Sequence, residues 1–187
     1  MTVNNPKREI VVVTKERIFY GALTTRGRTE KTSTTSLIDL LSNPTKIQSD
    51  EKKVPVHHSD LIYMSDARIH TIKDDTYQQR QKVYIPTHSI IFSFESGQKG
   101  YKADPDFKLQ ALMEQYQGEH LLIGMGEYSF EGWSNNFFGR YHKSNIDFIA
   151  IINATIKFTT EYRPELSNKK FYALNKSKID HVAIVGG

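Results

Sequence analysis

The chain has 187 residues, 38% hydrophobic and 11% aromatic, enough to bury the core of one large or two small domains and too rich in Tyr, Phe, Val and Ile for a disordered polypeptide. It contains no cysteine, which excludes a disulfide framework, a thiolate zinc site and a Cys nucleophile, and a net charge of +4 spread over many charges of both signs names no partner. MTVNNPKREI lacks the apolar region of a signal peptide, and the longest apolar run, Phe148–Ile152, is far shorter than the ~20 residues that span a bilayer, so a cytoplasmic protein without a membrane span is expected.

In chain order, Ile10–Gly21 reads as two strands turning near Lys15-Glu16, with Gly21 suited to a bulge or a close backbone approach. A long insertion follows over 24–54. It opens on the basic loop Arg26-Gly27-Arg28-Thr29-Glu30-Lys31 and holds a predicted short helix over 35–41, stopped before Pro44. Asp60–Ile69 is interrupted by the turn-prone Ser65-Asp66, which predicts a hairpin or a kinked strand with Ala67 packed inside. Val83–Ile91 predicts one strand ending at Pro86, which cannot donate to a ladder, and another starting at Ser89. After the flexible Ser96–Gly100, Asp104 can cap a helix and Pro105 suits its first turn. Phe107, Leu109, Ala111, Leu112, Met113 and Tyr116 then form an apolar stripe before Gly118, which predicts a helix over 105–117.

From Leu121 the pattern begins again. Leu121–Gly132 lies over Ile10–Gly21 without a gap, so that Glu127, Phe130 and Gly132 coincide with Glu16, Phe19 and Gly21. Asp147–Ile156 lies over Asp60–Ile69, with Ala154 on Ala67, and Phe171–Ile179 lies over Val83–Ile91, with Tyr172 on Tyr84, Ser177 on Ser89 and Ile179 on Ile91. Three blocks in one order predict a duplicated unit of about five bent strands, a shape that closes into a small barrel more readily than it flattens. The expected fold is mainly β with minor α. Its two tandem five-stranded bent-sheet or barrel units span 8–96 and 120–185, and the linker 97–119 between them carries the helix.

The element order within each copy resembles the Sm-like fold: a bent strand pair ending near a Gly, a longer connection, a central apolar strand, then two short strands joined by a tight turn. The first copy is similar in particular to a group of small bacterial Sm-like domains in which Thr-x-x-Arg-Ile-x-Gly precedes a Leu-x-Asp-Leu-Leu-Asn helix. The corresponding segments here are Thr14–Gly21, one residue longer before the Gly, and Leu37–Asn43. The resemblance covers nearly all of the first copy and the strand blocks of the second. RNA-binding Sm proteins carry an Asp and an Asn after the Gly-bearing strand and an Arg-Gly step in the final turn. The matching places here hold Thr24-Thr25-Arg26 and Pro86-Thr87 in the first copy, and Asn135-Asn136 and Leu174-Asn175 in the second. The resemblance therefore implies the fold and does not bring the RNA-contacting signature with it.

Nothing in the sequence assembles into catalytic machinery. Gly124-Met125-Gly126 lacks the third Gly and the following helix of a phosphate loop, and Gly-x-Ser-x-Gly is absent. Of seven histidines, only His57-His58 with Asp60 hints at a metal, and neighbours in a strand face opposite ways. Asp74-Asp75 falls in a polar turn and reads as solvated charge. No catalytic residue, metal or cofactor is expected. Two surface groups remain. Trp133, Phe137, Phe138, Arg140 and Tyr141 bring together the residue types that dominate protein-binding hot spots, although Trp133 and one Phe are equally suited to plugging the end of a barrel. Arg26, Arg28 and Lys31 are suited to phosphate. The expected function is a non-catalytic adaptor or structural subunit that docks onto a protein partner or larger assembly through the aromatic group. The alternative is RNA or other nucleic-acid binding of Sm-like type through the basic loop.

Overall fold

The computed structural model describes residues 7–24, 37–38, 41–42, 60–96, 118–143, 147–160 and 163–185. The chain divides into two compact units, Met1–Gly97 and Gln98–Gly187. The first contains β1 (Lys7–Thr14), β2 (Arg17–Thr24), β3 (Leu61–Thr71), β4 (Thr76–Pro86) and β5 (Ile90–Glu95). The second contains β6 (Gly118–Met125), β7 (Tyr128–Asn135), the short helix α1 (Phe137–Tyr141), β8 (Phe148–Phe158), β9 (Lys169–Asn175) and β10 (His181–Ile184). The fold is mainly β, and the ladders of both units are antiparallel. They follow the same order, β5–β1–β2–β3–β4 in the first and β10–β6–β7–β8–β9 in the second. Among the described residues no ladder joins β4 to β5 or β9 to β10, so each unit is an open five-stranded sheet at this level. Leu37, Ile38 and Leu41 of the helix predicted in the insertion are helical and buried. The helix predicted over 105–117 lies outside the described residues.

β1 runs between β2 and β5, and Ile10 through Val13 are all buried, which explains why it reads as an unbroken apolar run rather than an alternating one. Both units then bend at the same place. The β2–β3 ladder slips between Tyr20–Arg68 and Ala22–Ser65, and the β7–β8 ladder slips between Glu131–Thr155 and Trp133–Ile152. Gly21 and Gly132 each face two residues of the partner strand there. The first of each pair takes a left-handed backbone conformation, Asp66 at φ 53° and Asn153 at φ 50°, and the second, Ala67 or Ala154, is fully buried. The Ser65-Asp66 interruption is therefore a bulge that kinks one long strand, not a hairpin. Asp and Asn tolerate this conformation better than any other non-glycine residue. Asn153→Val should cost about 1–2 kcal/mol and Asn153→Gly almost nothing, a contrast that urea denaturation of the two variants measures directly.

The third sequence block needs a correction of one residue. Thr87 N donates to Asp60 O in the first unit, and Lys176 N donates to Asp147 O in the second. Since Asp60 and Asp147 correspond, Thr87 corresponds to Lys176 and Tyr84 to Ala173. The ladders agree: Tyr84 is paired with Tyr63, Ala173 with Ala150, and Tyr172 with Ile151. β9 accordingly ends at Asn175, which takes the place of Pro86. A slip of one residue turns every side chain of a strand to the other face, so the Tyr84/Tyr172 identity is a coincidence of composition. The short 3-10 turns Thr87–Ser89 and Lys176–Lys178 then lead into β5 and β10.

Candidate docking surface

After Asn135 the chain leaves β7 by turning left-handed at Asn136, φ 51°, and enters α1. Phe137, at the start of the helix, is 1% exposed, and its N–H donates to Glu119 Oε2 at 2.9 Å, which ties α1 to β6. Phe137 thus belongs to the core, in the place the sequence left open for one Phe of this group. What it does is hold up its neighbours. Phe138 stands edge-on to it at 5.4 Å between ring centroids, and Tyr141 stacks over it at 5.8 Å. Phe138 is 41% exposed, whereas Arg140 and Tyr141 are half-buried. Lys176 Nζ lies 5.9 Å from the Tyr141 ring and donates to Lys143 O at 2.9 Å, closing the far side of the knob. Trp133 sits apart on β7, half-buried, its ring parallel to that of His120 at 4.8 Å. The structure therefore groups Phe137, Phe138 and Tyr141, and gives Trp133 a separate stacking partner.

The first unit carries an aromatic and cationic cluster that the sequence reading missed. The Arg68 guanidinium lies over Tyr20 at 4.6 Å and near Tyr77 at 5.6 Å, and Tyr77 stacks on His70 at 4.4 Å with the rings almost parallel. His70 is 1% exposed, with Nε2 2.7 Å from Asp75 Oδ1 and no partner for the buried Nδ1. Asp75 is thus more than solvated turn charge, although its side chain stays largely in water. The second unit serves as an internal control. Tyr20, Arg68 and His70 correspond to Glu131, Thr155 and Lys157, and there Lys157 Nζ lies 3.6 Å from Glu131 Oε2 instead. The same bulged ladder forms with either set, so the scaffold does not require Arg68 and its tyrosines.

Arg26, Arg28, Lys31, His57 and His58 lie outside the described residues. Asp60, third member of the suspected metal group, is exposed, and its carbonyl accepts from Thr87 N and Oγ1. Among the described residues no three His, Asp or Glu side chains gather where a metal ion would sit, and no helix is long and apolar enough to cross a membrane. Compared with known proteins, the chain matches no family model, no curated protein and no solved structure.

Proposed function

We propose that the chain is a non-catalytic adaptor of two tandem Sm-like units, and that it docks onto a protein partner or larger assembly through the aromatic knob on α1. The observation that carries this reading is Phe138, exposed at 41% yet braced by the buried Phe137 and by Tyr141 beyond it. A single exposed apolar residue is ordinary, but a braced aromatic beside a second ring and Arg140 has the composition and the low ordering cost of a binding hot spot. The shared strand order and the paired bulges support two copies of one small bent unit, and such units commonly close or associate through their sheets.

The double substitution Phe138→Ser with Tyr141→Ser should reduce partner binding by about 2 kcal/mol or more, roughly thirtyfold, with the unfolding transition nearly unchanged. Phe137 is left alone because its loss would open the core. Partners co-purified with the native chain, then titrated against the variant over a salt series, provide the measurement. Loss of binding with little salt dependence is expected. If the variant binds normally while removal of Arg26, Arg28 and Lys31 abolishes binding and flattens a steep salt dependence, the adaptor reading falls and the nucleic-acid reading replaces it.

A further inference from the structure

β10 ends the strand order of the second unit, and among the described residues no strand pairs with its outer side. Its register on β6 matches that of β5 on β1, so His181, Val182, Ala183 and Ile184 stand where the first unit has Phe92, Ser93, Phe94 and Glu95. Phe92, Ser93 and Phe94 are buried, whereas His181, Ala183 and Ile184 are exposed, Ile184 at 61%. The backbone phase of β10 is fixed at both ends. Val185 N donates to His120 O, which continues the register of the ladder. Asp180 N donates to Gly124 O, the carbonyl opposite His181, so the irregular step precedes the strand, and no left-handed residue interrupts 181–185. Alternation therefore turns the N–H and C=O groups of His181 and Ala183 toward β6 and those of Val182 and Ile184 outward.

The polar groups beside this edge are turned back onto their own unit. The His181 ring lies against Gly124, in the space a Cβ there would take, and the Asp180 carboxylate accepts from Gly126 N. No Lys, Arg, Asp or Glu occurs from His181 to Gly187. Edge strands are commonly protected by charge, proline or a covering element, and β10 is protected by its shortness alone. The strand is also complementary to itself about Ala183. In an antiparallel pair with a second copy centred there, Val182 faces Ile184 of the other copy in a hydrogen-bonded pair, which uses the backbone groups that point outward. Ala183 then faces Ala183 in a non-hydrogen-bonded pair, where facing Cα atoms come to about 4.5 Å and a small side chain fits. Val182 and Ile184 share one face of the strand, so each meets an apolar side chain.

We infer that the outer edge of β10 is a self-docking edge: a second copy of this chain adds its own β10 antiparallel, about a two-fold axis at Ala183, and makes a symmetric dimer. Val182 and Ile184 supply both the main-chain hydrogen bonds and the apolar contact, and Ala183 sets the register. The strand is short, so the dimer is weak, half-formed on the order of 100 μM. The contact uses no residue of the α1 knob.

Sedimentation velocity of the full chain should show a monomer giving way to a dimer between about 1 μM and about 1 mM. Ala183→Lys sets like charges and long side chains at the closest pair and should weaken association at least about tenfold. Ala183 is exposed, so folding should persist. Val182→Pro, which deletes an outward N–H and leaves the bonds to β6 intact, should weaken association by a similar factor. The chain has no cysteine, so a single one reports the register. With oxidised glutathione as oxidant, Ala183→Cys should form a disulfide between copies, because its facing Cα atoms fall within the range a disulfide spans, whereas Ile184→Cys faces Val182 of the other copy and should not. Phe138→Ser should dimerise as the parent does. A chain that stays monomeric at about 1 mM, a parent-like dimer of Ala183→Lys, or equal cross-linking at 183 and 184 would each overturn the inference. So would assemblies larger than a dimer, which would show that β10 pairs with a different edge.

Discussion

Gly132→Ala is expected to destabilise the second unit by about 2–4 kcal/mol, at the upper end of what overpacking costs and a large part of the margin of a small domain. A Cβ at this position would lie 2.8 Å from Ala154 Cβ, 2.9 Å from Ala154 Cα and 2.9 Å from Ile152 O. Two of these atoms are backbone, so no rotamer relieves the contact and the β7–β8 ladder must part at its bulge. Gly126 is the matched control. Its φ is +61° and nothing lies within 4 Å of an added Cβ, so Gly126→Ala bears only the left-handed backbone penalty of about 1–2 kcal/mol. Gly21 falls between the two, because two of its three nearest atoms belong to the flexible Met64 side chain, at 2.7 Å. Guanidinium unfolding of the three Ala variants ranks them. Equal midpoints for Gly132→Ala and Gly126→Ala would show that the bulge is not tightly packed.

Tyr172→Phe should cost about 2–3 kcal/mol although it removes one oxygen. The Tyr172 hydroxyl donates to Leu166 O at 2.6 Å and accepts from Lys169 N at 3.1 Å, fastening the chain that enters β9, while the ring packs edge-on to Phe130 at 5.1 Å. Phe at this position keeps the ring contact and leaves two backbone groups in the interior without their partner. Burial raises the Tyr172 phenol well above its ordinary value of 10.0, with the Lys169 N–H acting in the opposite sense, and burial with Glu127 also raises Tyr128. Both groups hold their protons more tightly folded than unfolded. The stability they supply is therefore complete below about pH 10 and is lost as the pH climbs past that value. Urea midpoints should stay level from neutral pH to about 9 and then fall, and the fall should be shallower in Tyr172→Phe. A variant with the parent's alkaline slope would remove Tyr172 from that account.

Much of this architecture is written in the chain. The duplication, the Gly21/Gly132 bulges and the burial of Ala67 and Ala154 were readable because a bulge needs a residue without Cβ facing one with a small side chain, and those residues recur at fixed spacing. The turn residues Asp66 and Asn153 were equally visible, since few residue types accept a positive φ. Tertiary structure decided the rest. The pairing of Tyr84 with Tyr63 and of Tyr172 with Ile151 is set by cross-strand hydrogen bonds, and an alternating sequence looks nearly the same one residue out of phase. Phe137 and Phe138 are identical neighbours in sequence, yet the Glu119 bond to the Phe137 amide and the helical turn send one ring inward and the other out. His70 and Asp75 meet only because β3 and β4 fold back on each other. β4 and β9 occupy the same place in two copies of one ladder, and their different exposure is written in their own residues: Lys82, Val83 and Tyr84 stand where the second unit has the buried Phe171, Tyr172 and Ala173, but the one-residue offset that matches them came only from the ladder.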